Sequence, residues 1–128
     1  MNQDKFRFEK LLIWKDAIVY AKKVYIVADK LPKEELYGLI SQLKRAGLSI
    51  SSNIAEGSGS TTVNDFCHYL DIAIKSTIET VSQLLFAVEM GYLKETDVQL
   101  LYDEAQILIK RIQSFKKSLK NPRGVKNA

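Results

Sequence analysis

The sequence predicts an all-α fold: an antiparallel up-down-up-down four-helix bundle whose copies associate with one another. Three observations carry that expectation. Four segments space apolar residues three and four positions apart, and none sustains an apolar–polar alternation. Turn signals separate the segments by a few residues only, and short connections force antiparallel neighbours. The segments also carry more apolar surface than one bundle can hide.

The first segment is expected as a helix near residues 6–30, with Leu11, Trp14, Ile18, Ala21, Tyr25 and Ala28 as its seam. Leu31-Pro32 breaks it, and Lys33-Glu34-Glu35 places acids in the first turn of a second helix near 34–56. That helix shows Leu36, Ile40, Leu43, Gly47, Ile50 and Ile54 on one face. Gly57-Ser58-Gly59-Ser60 reads as a flexible break, followed by a third helix near 62–90. Its stripe is Phe66, Leu70, Ala73, Thr77, Thr80, Leu84 and Ala87, with Thr62 and Asp65 as a start cap and Gly91 as a left-handed stop. The fourth helix is expected near 96–120, opened by a Thr96–Gln99 capping box. It buries Val98, Leu101, Ala105, Leu108, Ile112, Phe115 and Leu119, and Asn121-Pro122-Arg123-Gly124 stops it. The bundle is thus expected over 1–120, with 121–128 as a basic, disordered tail.

A second apolar set flanks these seams: Val19 and Ile26 in the first helix, and Ile74, Ile78, Val81, Leu85 and Val88 in the third. A helix apolar on more than one side is either central or covered by another chain. The second alternative makes the protein a homo-oligomer.

Composition narrows the class. A chain of 128 residues has room for one domain. With 46% apolar and 27% charged residues, it is neither disordered nor low-complexity. One cysteine excludes an internal disulfide framework. Apolar runs such as Val24–Ala28 stop at five residues, far short of the roughly 20 a membrane span needs. Met1–Lys10 is too polar for a secretory signal, so a cytoplasmic address with no membrane partner is expected.

The net charge of +4 is uneven. From Lys110 onward there are seven Lys or Arg and no Asp or Glu, which leaves 12 basic against 15 acidic residues before it. Such an end either attracts phosphate backbones or merely complements a helix C-terminus.

Catalytic constellations are weak. Cys67 and His68 are neighbours, so on a helix they point about 100° apart and make a poor nucleophile–base pair. Asp65-x-x-His68 has the carboxylate–histidine spacing of di-iron bundles, but those require a second such motif and His68 is the only histidine. No metal or cofactor is expected. Gly57–Thr62 is small-residue-rich yet lacks the following lysine of a P-loop.

The second helix is more informative. Gln42, Arg45, Ser49, Asn53 and Glu56 form a polar stripe beside the apolar one. Gly47 should cost about 1 kcal/mol against alanine, and it permits a close approach. Glu56 opposes the helix dipole at a C-terminus. Arg45 cannot compensate it across about 16 Å of the same helix, so a partner on another helix or subunit is expected.

Leu31-Pro32, Leu36-Tyr37-Gly38-Leu39, Gln42-Leu43-Lys44-Arg45-Ala46, Ser49-Ile50 and Asn53-Ile54-Ala55-Glu56-Gly57 together closely resemble one family. It comprises four-helix-bundle proteins encoded in intervening sequences of bacterial 23S ribosomal RNA genes. Trp14, Phe66, Tyr69-Leu70, Ile72-Ala73, Ser76, Glu79-Thr80, Gln83-Leu84 and Gly91-Tyr92-Leu93 continue the likeness, which covers about residues 8–119. Lys75 and Gly47 depart from it. The resemblance implies a ring-like homopentamer with no established enzymatic activity. It extends to the accessory variability protein of diversity-generating retroelements, which looks like a basic pentameric barrel binding nucleic acid and a reverse transcriptase. It also implies that Arg45, Asn53 and Glu56 occupy signature positions with structural roles at helix or subunit contacts.

Two functional readings follow. In the first, the protein is a nucleic-acid-binding scaffold, with RNA as its ligand, that uses Lys110, Arg111, Lys117, Lys120 and Arg123. In the second, it is an adaptor presenting a pentameric surface to a separately encoded enzyme such as a reverse transcriptase. An enzyme has little support, since no convergent titratable set is visible.

Overall fold

The computed structural model describes residues 6–121 as four helices with no strand among them. They are α1 (Leu12–Ala28), α2 (Leu39–Ser58), α3 (Val63–Glu89) and α4 (Glu95–Lys120). Each packs on the next, and α4 returns to α1, so the apolar faces close around one core.

The α3 and α4 seams lie where the spacing places them. Phe66, Leu70, Ala73, Thr77, Thr80, Leu84 and Ala87 are all buried, as are Val98, Leu101, Ala105, Leu108 and Ile112. On α2, Ile40, Leu43, Gly47, Ile50 and Ile54 are buried, whereas Leu36 lies outside the helix and is exposed. The seam of α1 is rotated from expectation. Ala21 and Ala28 are buried as expected, but Ile13, Ala17, Tyr20, Val24 and Val27 also face the core, whereas Leu11, Trp14 and Ile18 are half-buried and Tyr25 is exposed. Apolar residues surround α1 on nearly every side, so their spacing alone does not select a phase.

Helix ends correct the expected boundaries. Arg7–Lys10 forms one 3-10 turn instead of helix, because Leu11 is extended at φ −81° and ψ 124°. That break lets Phe8 fold onto Trp14, with ring centres 4.9 Å apart, and sets Arg7 over the Phe66 ring at 5.1 Å. Lys33–Glu35 is likewise a 3-10 turn, and α2 starts only after Gly38. There the Glu35 carboxylate accepts the Leu39 amide at 3.1 Å and also the Tyr92 hydroxyl at 3.2 Å, which ties the start of α2 to the α3–α4 turn. This bond, first of all, raises the Tyr92 pKa above the usual phenol range.

Gly57 and Ser58 are not linker but the buried last turn of α2. A Cβ on Gly57 would lie 2.7 Å from the Tyr69 Cβ and 2.8 Å from the Phe66 ring, so only glycine lets α3 come this close. Gly47 makes a looser contact of the same kind with Val24 of α1. Thr62 caps α3 as expected by accepting the Asp65 amide at 3.1 Å, and Gly91 ends it at φ +75°. The α4 cap lies two residues before the expected one. Asp97 accepts the Lys94 amide at 2.8 Å, and Thr96 is inside the first turn.

Three ion pairs connect α1 and the turn that follows it to α4: Asp16–Arg111, Lys23–Glu104 and Lys30–Asp97. Residue numbers climb α1 as they descend α4, by seven at each rung. Inside the bundle, Tyr20 of α1 reaches across to Thr80 of α3 at 2.7 Å. The Thr80 hydroxyl proton goes to the Thr77 carbonyl at 2.6 Å, so Tyr20 is the donor in the cross-core bond. Burial pushes the Tyr20 pKa up to about 12.

Candidate nucleic-acid interface

The basic residues toward the end of α4 divide by position and partner. Lys110, Lys117 and Lys120 recur at seven- and three-residue steps, away from the buried Leu108–Ile112 face, and all three are exposed. Among the described residues none of them has a carboxylate partner. Arg111 is exposed but committed, donating to Asp16 at 2.9 Å. Lys116, which the sequence reading did not select, donates to Asp71 of α3 at 2.7 Å. That bond raises the Lys116 pKa above the usual lysine range. Arg123 and the rest of the expected 121–128 tail beyond Asn121 lie outside the described residues.

The polar stripe of α2 splits in two. Ser49 and Ser76 share a hydrogen bond at 2.9 Å between α2 and α3. Asn53 donates to the Ser49 carbonyl at 2.8 Å and to its hydroxyl at 2.9 Å, both within α2, so Ser49 lies at the helix–helix contact and Asn53 braces it from its own helix. Gln42, Arg45 and Glu56 are exposed, and neither charge has an ionic partner among the described residues. The compensation that Glu56 needs does not come from within this chain's described surface.

Other chemistry-bearing groups stay apart. Cys67 is buried and unpaired, whereas His68 is exposed and packs edge-on to Tyr69 at 5.9 Å. Among the described residues, no three His, Cys, Asp or Glu side chains are grouped to hold a metal, and no helix is long and apolar enough to cross a membrane. The reading along the stripes missed Tyr20, whose hydroxyl interrupts an apolar core. Its signal was indirect, because Thr77 and Thr80 within the α3 stripe require polar partners.

A four-helix chain with an exposed lysine row and these α2 glycine contacts can be set beside known proteins. Residues 9–114 match the family model of the 23S rRNA-intervening sequence protein. The chain belongs to this family. A crystal structure of a protein with unknown function from the S23 ribosomal protein family of Bacteroides thetaiotaomicron superposes with a TM-score of 0.75. It is 21% identical over 83% of this chain and 99% of its own, so the likeness is one of fold. Among curated proteins, none matches this family member. The family match ends at Ser114, before Lys116, Lys117 and Lys120.

Proposed function

We propose that this family member is a non-catalytic, cytoplasmic scaffold that binds nucleic acid, with RNA as its ligand, built from an antiparallel up-down-up-down bundle assembled as a ring-like homopentamer. One observation carries the binding: Lys110, Lys117 and Lys120 form an exposed row without carboxylate partners on a helix that leads into a basic terminus. The opposed numbering of the α1–α4 ion pairs supports the antiparallel topology. Exposed Val19, Ile26 and Leu85 support assembly, since a bundle that keeps such residues on its outside gains by covering them. Five subunits would collect about 35 positive charges from the basic ends, which favours phosphate contact over base reading.

Binding of labelled RNA, followed as salt rises from about 50 to about 200 mM, tests the reading. Affinity should fall steeply with salt, and both truncation after Lys120 and reversal of Lys110 with Lys117 should weaken it. Salt-independent affinity would refute it. Light scattering of the same sample, with and without nuclease, reports the assembly, and a folded monomer would remove the ring.

A second reading rests on Ile78 at 53% and Leu85 at 44% exposure on α3. They suit an adaptor surface for a separately encoded enzyme such as a reverse transcriptase. Recovery of a stoichiometric protein partner after nuclease treatment would favour it.

A further inference from the structure

Between α3 and α4 runs an open groove of about 610 Å³ that the basic end of α4 does not by itself explain. One wall carries Lys75 of α3, and the other carries Lys116, Lys117 and Lys120 of α4. Ile74 and Ile78 contribute its apolar part. Asp71 is the sole carboxylate among the described lining residues, and Lys116 already holds it at 2.7 Å. Four lysines against one aspartate leave the groove at +3. Lys75, Lys117 and Lys120 have no acidic partner among the described residues.

The shape limits what such a charge can hold. Helices packed about 8–10 Å apart leave a furrow one extended chain wide, too narrow for a duplex. Among the described lining residues there is no aromatic ring, so they offer no platform for stacked bases. Lysines present compact point charges that suit phosphates without dictating a planar geometry. We infer that the α3–α4 groove is a phosphate track for a single-stranded polynucleotide, whose backbone runs between Lys75 on one wall and Lys117 and Lys120 on the other. This inference rests on the proposed nucleic-acid function and adds a second wall to it. Lys75 stands on a different helix, well before the basic end. Asp71 acts as a brake, since it withholds Lys116 from the strand.

Fluorescence anisotropy of a labelled oligouridylate of about 20 nucleotides, titrated with the full-length chain across the same salt range, tests the track. Lys75→Glu should weaken binding about tenfold or more, and Lys117→Glu should do the same. Lys75→Gln should lower the slope of log affinity against log salt by about 0.7, the value for one phosphate on a single strand. Asp71→Asn should bind more tightly and steepen that slope by a similar amount, because it frees Lys116. Lys15→Glu, an exposed position on α1, controls for net charge, and circular dichroism checks that each variant is folded. If Lys75→Glu binds no worse than Lys15→Glu while Lys117→Glu and the truncation still weaken binding, the track is refuted and the basic-end reading stands. If the unaltered chain binds no oligouridylate at the lowest salt, both fall. Equal affinity for a duplex of the same length would also overturn the single-strand track.

Discussion

Replacing Gly57 with alanine is a severe test of how α2 and α3 meet. The added methyl would lie 2.7 Å from the Tyr69 Cβ, an atom fixed to the α3 backbone, and 2.8 Å from the Phe66 ring. Neither neighbour can turn aside without moving the helix or displacing a core aromatic. Overpacking of this kind costs about 1–3 kcal/mol. Alanine's better helix propensity returns at most about 1 kcal/mol, and less here in the last turn. The net expectation is a loss of about 1–2 kcal/mol, read as a melting temperature lower by about 4–8 °C at equal protein concentration. Gly47→Ala provides the contrast. Its methyl meets the Val24 Cγ1 at 3.1 Å, a contact with a side-chain methyl, and gains the full mid-helix propensity. It should therefore stay within about 1 kcal/mol of the parent. A Gly57→Ala protein that melts at or above the parent with its helical signal intact would refute the close-approach argument.

The Tyr20–Thr80 bond gives two asymmetric substitutions. Tyr20→Phe leaves the Thr80 proton on the Thr77 carbonyl and should cost about 0.5–1.5 kcal/mol in denaturant titration, whereas Thr80→Val strands the buried phenol and should cost about 1–3 kcal/mol. Because the folded pKa of Tyr20 is raised to about 12 from 10.0, the stability it contributes is complete below pH 10 and lost as pH climbs through about 12. Tyr20→Phe should flatten that alkaline loss, and an unchanged pH profile would contradict the assignment. The Asp97 carboxyl is held below its usual range, chiefly by the Lys94 amide and further by Lys30. Its contribution is present above the ordinary carboxylate pKa and lost as pH falls through the lowered one, so Asp97→Ala should show a shallower acid decline in the melting temperature.

The parts of the fold legible in sequence are those where polar and apolar faces separate cleanly. Helix α4 sets Val98, Leu101, Ala105, Leu108 and Ile112 against lysines and carboxylates, and both its buried face and its exposed lysines follow from that contrast. Helix α1 offers no such contrast among its apolar residues. Its phase is instead encoded by polar pairs at 15–16, 22–23 and 29–30, whose opposite side passes through Ile13, Ala17, Tyr20 and Val24. Gly57 misleads because composition associates Gly-Ser-Gly-Ser with linkers, while the need for glycine there arises from Phe66 and Tyr69 on another helix. At the candidate interface, the lysine row was readable from spacing. The commitment of Arg111 to Asp16 and of Lys116 to Asp71 was not, since each pairing joins residues far apart in the chain, on different helices.

The three ionic rungs from α1 and the turn after it to α4 matter less for how firmly the helices grip than for where they come to rest. Both buried faces repeat every seven residues, through Ile13, Tyr20 and Val27 on one side and Val98, Ala105 and Ile112 on the other. A fourth helix displaced by one heptad would still set oily residue against oily residue. Charge breaks that tie. Shifted one way, Asp16 would meet Glu104 while Lys23 met Asp97, and shifted the other, Lys23 would meet Arg111 while Lys30 met Glu104, so three attractions fall to one attraction beside one repulsion. Each exposed pair adds at most about 1 kcal/mol to stability, yet each misalignment exchanges an attraction for a repulsion. The outside of the molecule thereby proofreads an alignment that its interior leaves degenerate.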